Sequence, residues 1–205
     1  KHGADGGNPF YGGYVSADMK NSNINAVYLG GGSLGLGRSY YQKVDDKNTQ
    51  TLADYSQYIQ TLFQNVTPTN KQLKSKDIVD FEKAIAANLK TIEESRDAQK
   101  RYNPVAVSDL NKMVKNVDVA AYLKDLGFKA DTVILGELKY YQHLDQIINQ
   151  KNIPVIKEYL TFQLINNATS YLTAALDELS FDFYGRKLRG QKEQRSLDKR
   201  GLEFV

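Results

Sequence analysis

Apolar positions along this chain change period once, near residue 48. Before it, residues 13–18 and 25–29 alternate apolar and polar side chains around a turn rich in Asn and Ser, the pattern of a β-hairpin. After it the spacing becomes helical. Leu52, Tyr55, Ile59, Leu62 and Phe63 share one helix face, and Pro68 breaks the run. A second helix is predicted from about residue 70 to about residue 95. Its buried stripe is Ile78, Phe81, Ile85, Leu89 and Ile92, its other face is charged, and Asn103 with Pro104 closes the region. Ser108 and Asp118 are N-cap candidates for two short helices, and Gly127 is a left-handed cap for the second. Residues 132–135 fit either a short strand or an extended connection. A helix over about 137–149 follows. Pro154 suits the first turn of another, predicted to continue past Leu172, and the tail from Leu176 reads as one or two helices interrupted near Gly185 and Gly190. The expectation is a mainly α fold, a multi-helix domain with a small β-hairpin near the N-terminus. Residues 1–48 would form a hairpin and loop segment and residues 49–205 a helical body.

The glycine-rich stretch after the hairpin carries the first chemical question. Gly30-Gly31-Gly32-Ser33-Leu34-Gly35 satisfies G-x-G-x-x-G and follows an apolar run, Ala26 to Leu29. A dinucleotide fingerprint also needs a helix opening in the loop, so that its amides face the pyrophosphate, and a second parallel strand ending in an acid about 20 residues on. Here a polar stretch to Asn48 follows, then a helical pattern containing Asp54. The stretch reads as a flexible loop after the hairpin.

The chain has 205 residues, enough for one large domain or two small ones, with a net charge of +3 and no cysteine. Disulfide and thiolate chemistry are absent, and no apolar run approaches the ~18 residues of a membrane span. Only His2 and His143 are available as imidazoles, neither within H-E-x-x-H, so no catalytic residue and no metal ligand is assigned. No G-x-S-x-G occurs either. The acidic pairs Asp45-Asp46, Glu93-Glu94 and Asp177-Glu178 read as solvated helix faces. Arg186, Lys187, Arg189, Lys192, Arg195, Lys199 and Arg200 make the tail basic against Glu193 and Asp198. Without interleaved aromatics this reads as a helix flank pairing with acids of a neighbouring domain, not as a nucleic-acid site. The fourteen tyrosines read as packing residues whose hydroxyls reach water at the core edge, with an aromatic shelf for peptide or glycan as the other use. The apolar close, Leu202 to Val205, reads as a cut from a longer polypeptide.

Four blocks, in order and spanning nearly the whole chain, resemble the N-terminal, non-catalytic part of the neprilysin-type zinc metalloendopeptidases, which include bacterial oligopeptidase O. They are Asn8-Pro9-Phe10 with Asp18-Met19-Lys20-Asn21-Ser22; Leu34-Gly35-Leu36-Gly37-Arg38-Ser39-Tyr40-Tyr41; Phe81-Glu82-Lys83-Ala84-Ile85-Ala86 continuing to Arg96-Asp97 and Lys100-Arg101-Tyr102-Asn103-Pro104; and Phe181-Asp182-Phe183-Tyr184-Gly185 with Leu188, Gly190, Lys192-Glu193-Gln194-Arg195 and Lys199-Arg200. Gly37 stands where the family usually has proline, and Asp198 where many animal members have tryptophan. The family's first N-terminal helices have no counterpart before Lys1.

The resemblance implies a parent enzyme in which two histidines and a glutamate hold zinc and a second glutamate activates the bound water. None of these maps onto this chain, so no cofactor is assigned to it. It would be part of the helical cap that encloses the substrate chamber, limits substrate size and positions the catalytic domain. Its partners would be that domain and peptide substrates, and the parent would sit in the periplasm or cell envelope. Asp18, Lys20 and Asn21 would organise the hairpin turn. Arg96, Asp97 and Tyr102 would tie a helix end to the next segment, with Arg38 and Arg195 as further structural residues of the motifs. The competing class is a non-catalytic helical binding module of the cell envelope.

Overall fold

The computed structural model describes residues 8–67 and 74–196. His2, Pro68, the start of the helix expected near residue 70, Asp198, Lys199, Arg200 and the apolar close lie outside them. The rest is mainly helical with one small sheet. Strand β1 (Gly13–Ala17) and strand β2 (Asn25–Leu29) form the expected hairpin, Tyr14 opposite Tyr28. Helix α1 (Arg38–Gln42) follows the glycine loop. Helix α2 (Asp46–Val66) starts where Asp45 accepts from Asn48 N at 2.8 Å, and it buries Tyr55, Tyr58, Ile59, Leu62 and Phe63.

The helix expected up to residue 95 is two. Helix α3 (Ser75–Ala86) stops, Leu89 turns into the core, and helix α4 (Ile92–Arg96) restarts from a capping box of Thr91 and Glu94. Periodicity misses this break because Leu89 stays in phase with the stripe, while Ile92 is in fact exposed. Helix α5 (Ala98–Arg101) leads into strand β3 (Asn103–Ala106), where the sequence suggested only a boundary. Pro104 is tolerated because β3 is an edge strand, with one side of its backbone free of the ladder. Helix α6 (Val107–Met113) starts one residue before Ser108, with Ala106 in the cap position. Helix α7 (Val119–Asp125) is capped by Asp118, which accepts from Ala121 N at 2.8 Å, and Gly127 takes the expected left-handed conformation, φ 80°.

Strand β4 (Thr132–Leu135) resolves the open choice at 132–135. It pairs parallel to β2 and antiparallel to β3, giving the order β1-β2-β4-β3. The helix expected over 137–149 is again two, α8 (Leu138–Gln142) and α9 (Leu144–Ile147), broken at His143. Helix α10 (Ile153–Leu172) has Pro154 in its first turn and ends before Thr173, which caps helix α11 (Ala174–Ser180). A π-helical stretch, Phe181–Lys187, continues α11. Its Gly185 lies under the Phe181 ring, where a Cβ would collide.

The loop between β2 and α1 is not a flexible connection. It lies half-buried against the core, and fully buried tyrosines bond its backbone. Tyr141 Oη donates to Gly30 O at 2.6 Å and Tyr159 Oη to Ser33 O at 2.8 Å; Tyr140 Oη donates to Phe10 O at 2.8 Å, in the segment before β1. These buried hydroxyls therefore serve backbone carbonyls, not water at the core edge. A buried polar group without a partner costs about 1–3 kcal/mol, so each carbonyl offsets a penalty that burying a tyrosine hydroxyl would otherwise carry. The glycines permit the close approach: a Cβ on Gly32 would sit 2.7 Å from Tyr140 Oη, and one on Gly35 would overlap Tyr55 Oη.

Tyr159→Phe keeps the ring and removes the donor to Ser33 O. It is expected to lower stability by about 1–3 kcal/mol in urea denaturation with an unchanged slope. Gly35→Ala should cost at least as much through overpacking, roughly 1–3 kcal/mol. Wild-type stability of both variants would contradict the buried-loop account.

Candidate functional site

Chemistry-bearing side chains gather at three places. The first is a carboxylate in the core. Glu82 lies on α3, four residues after Ile78 and three before Ile85, on the buried stripe, and it is fully buried. Its Oε2 accepts from Tyr41 Oη at 2.7 Å. Its Oε1 accepts from Gly35 N at 3.0 Å, Tyr55 Oη at 3.3 Å and Gln163 Nε2 at 3.3 Å. The donors come from the glycine loop, α1, α2 and α10, so one side chain joins four segments. Burial pushes Glu82 up to about 7, against hydrogen bonds that pull the other way. Burial, with the carboxylate beside them, holds Tyr41 and Tyr55 well above the usual phenol range.

The second place is the ion-pair group around Glu137. Arg38 Nη1 donates to Glu137 Oε1 at 2.9 Å, to Lys90 O at 2.8 Å and to Ser95 Oγ at 3.2 Å. Lys90 N donates to Glu137 Oε2 at 2.8 Å, and Lys90 Nζ bonds Gly136 O. Arg38 thus locks α1 to the α3–α4 break and to the start of α8. This group borders an open cleft of about 610 Å³ that also exposes Lys83, Glu94, Lys100 and Lys139. Its lysines are engaged: Lys83 with Asp80 at 3.3 Å, Lys100 with Glu94 at 3.4 Å, and Lys139 with Ala87 O at 2.9 Å.

The third is the hairpin turn. Asp18 Oδ1 accepts from Lys20 N at 2.7 Å and Asn21 N at 3.0 Å, and its Oδ2 accepts from Tyr102 Oη at 2.9 Å. The amide of Lys20 leads the contacts that hold Asp18 below the usual carboxylate range. Lys20 Nζ lies 4.6 Å from the Tyr102 ring centre, and Asn21 Oδ1 accepts from Asn23 N at 3.2 Å.

Of the residues singled out in the sequence, the structure thus joins Asp18, Lys20, Asn21 and Tyr102 in one cluster and places Arg38 in another. Asp97 caps α5 by accepting from Gln99 N at 2.9 Å, while Arg96 is exposed at the end of α4. Arg195 lies far along the tail, beside Tyr171 and Asp177. His143 Nδ1 is engaged with Lys139 O at 2.8 Å. The basic tail pairs within the chain, Arg186 with Glu178 at 2.6 Å and also with Asp182, and Lys187 with Asp54 at 2.8 Å. Sequence reasoning missed Glu82, Lys90 and Glu137 as organising groups. For Glu82 the signal was present, an acid in phase with an apolar stripe. The G-x-G-x-x-G amides are spent internally: Gly30 N on Gly12 O, Ser33 N on Pro9 O and Gly35 N on Glu82. A five-residue helix does open nearby, but the parallel neighbour of β2 is β4, a hundred residues on, so no dinucleotide unit exists.

All three places join segments, and among the described residues no group of three His, Cys, Asp or Glu could hold a metal. No described helix is long and apolar enough to cross a membrane.

Comparison with known proteins supplies the class, a metallopeptidase architecture. The chain resembles the zinc metalloprotease Zmp1 of Mycobacterium tuberculosis in its open state, with a TM-score of 0.86 and 27% identity over 95% of this chain and 31% of that one. It shares its fold with PepO from Lactobacillus rhamnosis HN001, TM-score 0.81 at 20% identity over 96% and 31%. The neutral endopeptidase of Lactococcus lactis subsp. cremoris is 26% identical over 93% of this chain and 31% of its own length, and human endothelin-converting enzyme 1 is 24% identical over 87% and 25%. The family model for Peptidase family M13 matches residues 2–205, and the chain belongs to that family. It spans less than a third of the length of these relatives.

Glu82 gives a signed pH prediction. Its carboxyl binds a proton more tightly folded, near 7, than at its ordinary 4.5. Its stabilising contribution is full below about pH 4.5 and is lost as pH rises through 7, a change on the order of 3 kcal/mol at most. Denaturation at pH 5 and pH 8 should show wild type losing stability relative to Glu82→Gln as pH rises. Parallel pH profiles would contradict the burial of an ionisable Glu82.

Proposed function

We propose that this chain is the N-terminal, non-catalytic part of a longer zinc metalloendopeptidase that hydrolyses peptides. In it the helices form one domain, a cap over the substrate chamber that limits substrate size and positions the catalytic domain. The carrying observation is the family match over residues 2–205 in a chain spanning 31% of the Lactococcus neutral endopeptidase. Two further facts support it. The sequence holds two histidines, no cysteine and no H-E-x-x-H. Of the named motif residues, Asp18, Lys20, Arg38 and Tyr102 bond or stack across segments, and Asn21 and Asp97 hold their own turn and helix start, which suits structural roles. Zinc, in this reading, is held by residues of the parent outside this chain. Peptide substrates and the catalytic domain of the same polypeptide are its partners.

The test has two arms. The reading frame encoding this chain should continue into an H-E-x-x-H segment; a frame closing soon after Val205 sinks the proposal and favours the binding-module reading. The purified 205-residue chain should neither take up zinc stoichiometrically nor cleave peptides, whereas the parent should lose cleavage on chelation. Chelator-sensitive cleavage by the fragment itself would place the catalytic residues here instead.

A further inference from the structure

Helix α10 is apolar on two faces. Tyr159, Phe162 and Ile165 pack inward with α2 and α3. The opposite face carries Ile153, Leu160, Leu164 and Tyr171, all exposed, Leu164 by 67% and Tyr171 by 66%. With Lys157 and Asn167, also exposed, these positions advance by alternating steps of four and three residues: 153, 157, 160, 164, 167, 171. That is the spacing of a coiled-coil seam, not of a solvated helix face. α2 and α3, by contrast, turn their outer faces to water with charged and polar side chains such as Gln57, Gln64, Lys76 and Asp77.

We infer that this seam is the docking surface for a second helix of the same polypeptide, from beyond these 205 residues, packed along α10 with an acidic side chain facing Lys157. The inference rests on the reading of this chain as part of a longer M13 peptidase. Three observations select that occupant. The seam spans nineteen residues, about 27 Å of helix, and nine residues, 197–205, would reach only about 14 Å even if helical. The relatives carry more than twice as much polypeptide outside the matched region as inside it, the match covering 31% of the Lactococcus protein. The last described residues lie at the C-terminal end of the seam: Gln194 Nε2 donates to Asp177 Oδ1 at 3.2 Å, and Arg195 shares a cleft with Tyr171 and Leu172. Polypeptide continuing from there starts beside Tyr171 and covers the seam by running back toward Ile153. Lys157 and Asn167 are polar positions within an apolar seam, the device by which such helix pairs fix their register.

The chain has no cysteine, so single cysteines report the surface cleanly. Leu160→Cys, Leu164→Cys and Asn167→Cys are introduced separately into the full-length parent. Maleimide labelling at each site is followed by peptide-resolved mass spectrometry, native and in denaturant. Native labelling should be slower by about tenfold or more at all three sites, independent of protein concentration. Native rates within about threefold of the denatured rates at all three, in a parent whose melting temperature is unchanged, overturn the inference while leaving the M13 reading intact. Protection that disappears on dilution assigns the seam to a second copy and also overturns it. A reading frame that ends soon after Val205 removes the proposed occupant and sinks the M13 reading with it.

Discussion

A backbone segment run through a protein interior must find a partner for every amide and carbonyl it carries out of water. That requirement governs this structure. The loop between β2 and α1 packs half-buried against the core, and helices from distant parts of the chain supply partners for it: Tyr141 from α8, Tyr159 from α10, Glu82 from α3. The glycines that let the loop pass so close to these side chains also remove any competing side-chain contact. Loop and helices are thus mutually dependent. The buried hydroxyls of Tyr141 and Tyr159 find their acceptors on the loop, and the loop backbone finds part of its partners in those hydroxyls and in Glu82.

Glu82 is the most demanding member of this arrangement. An isolated buried carboxylate is too costly to keep ionised, and no cation lies among its hydrogen-bond partners. Four donors from four segments make it tolerable, and a proton makes it more so. Around it the Arg38–Glu137–Lys90 group and the Asp18–Tyr102 contact tie the surface layers together.

The wrong turns of the sequence reading have one physical cause. A fingerprint such as G-x-G-x-x-G is a statement about backbone freedom, and backbone freedom serves a buried loop as well as a phosphate. Which use applies depends on whether the amides point at solvent or at Glu82 and Pro9, and that is settled by residues up to 126 positions away. The helix breaks at Leu89 and His143 were invisible for a similar reason: apolar phase persists across a turn when both sides face the same core. Strand β3 was hidden by Pro104, whose tolerance follows from an edge position that no local window reveals.

What the sequence determined by itself was the local and the cumulative: the hairpin, the α2 stripe, the caps at Asp118 and Gly127, and, through four ordered motif blocks, the resemblance to a peptidase family that the match over residues 2–205 bears out. Caps and stripes are short-range, because a helix end or an amphipathic face is satisfied within a few residues. The tertiary structure alone decided how fourteen tyrosines are used, that Glu82 and Glu137 organise the core and its rim, that two separate strands join the hairpin, and that α10 keeps a second apolar face. Each of these is a pairing between segments far apart in sequence, and a partner is fixed only once the chain has closed on itself.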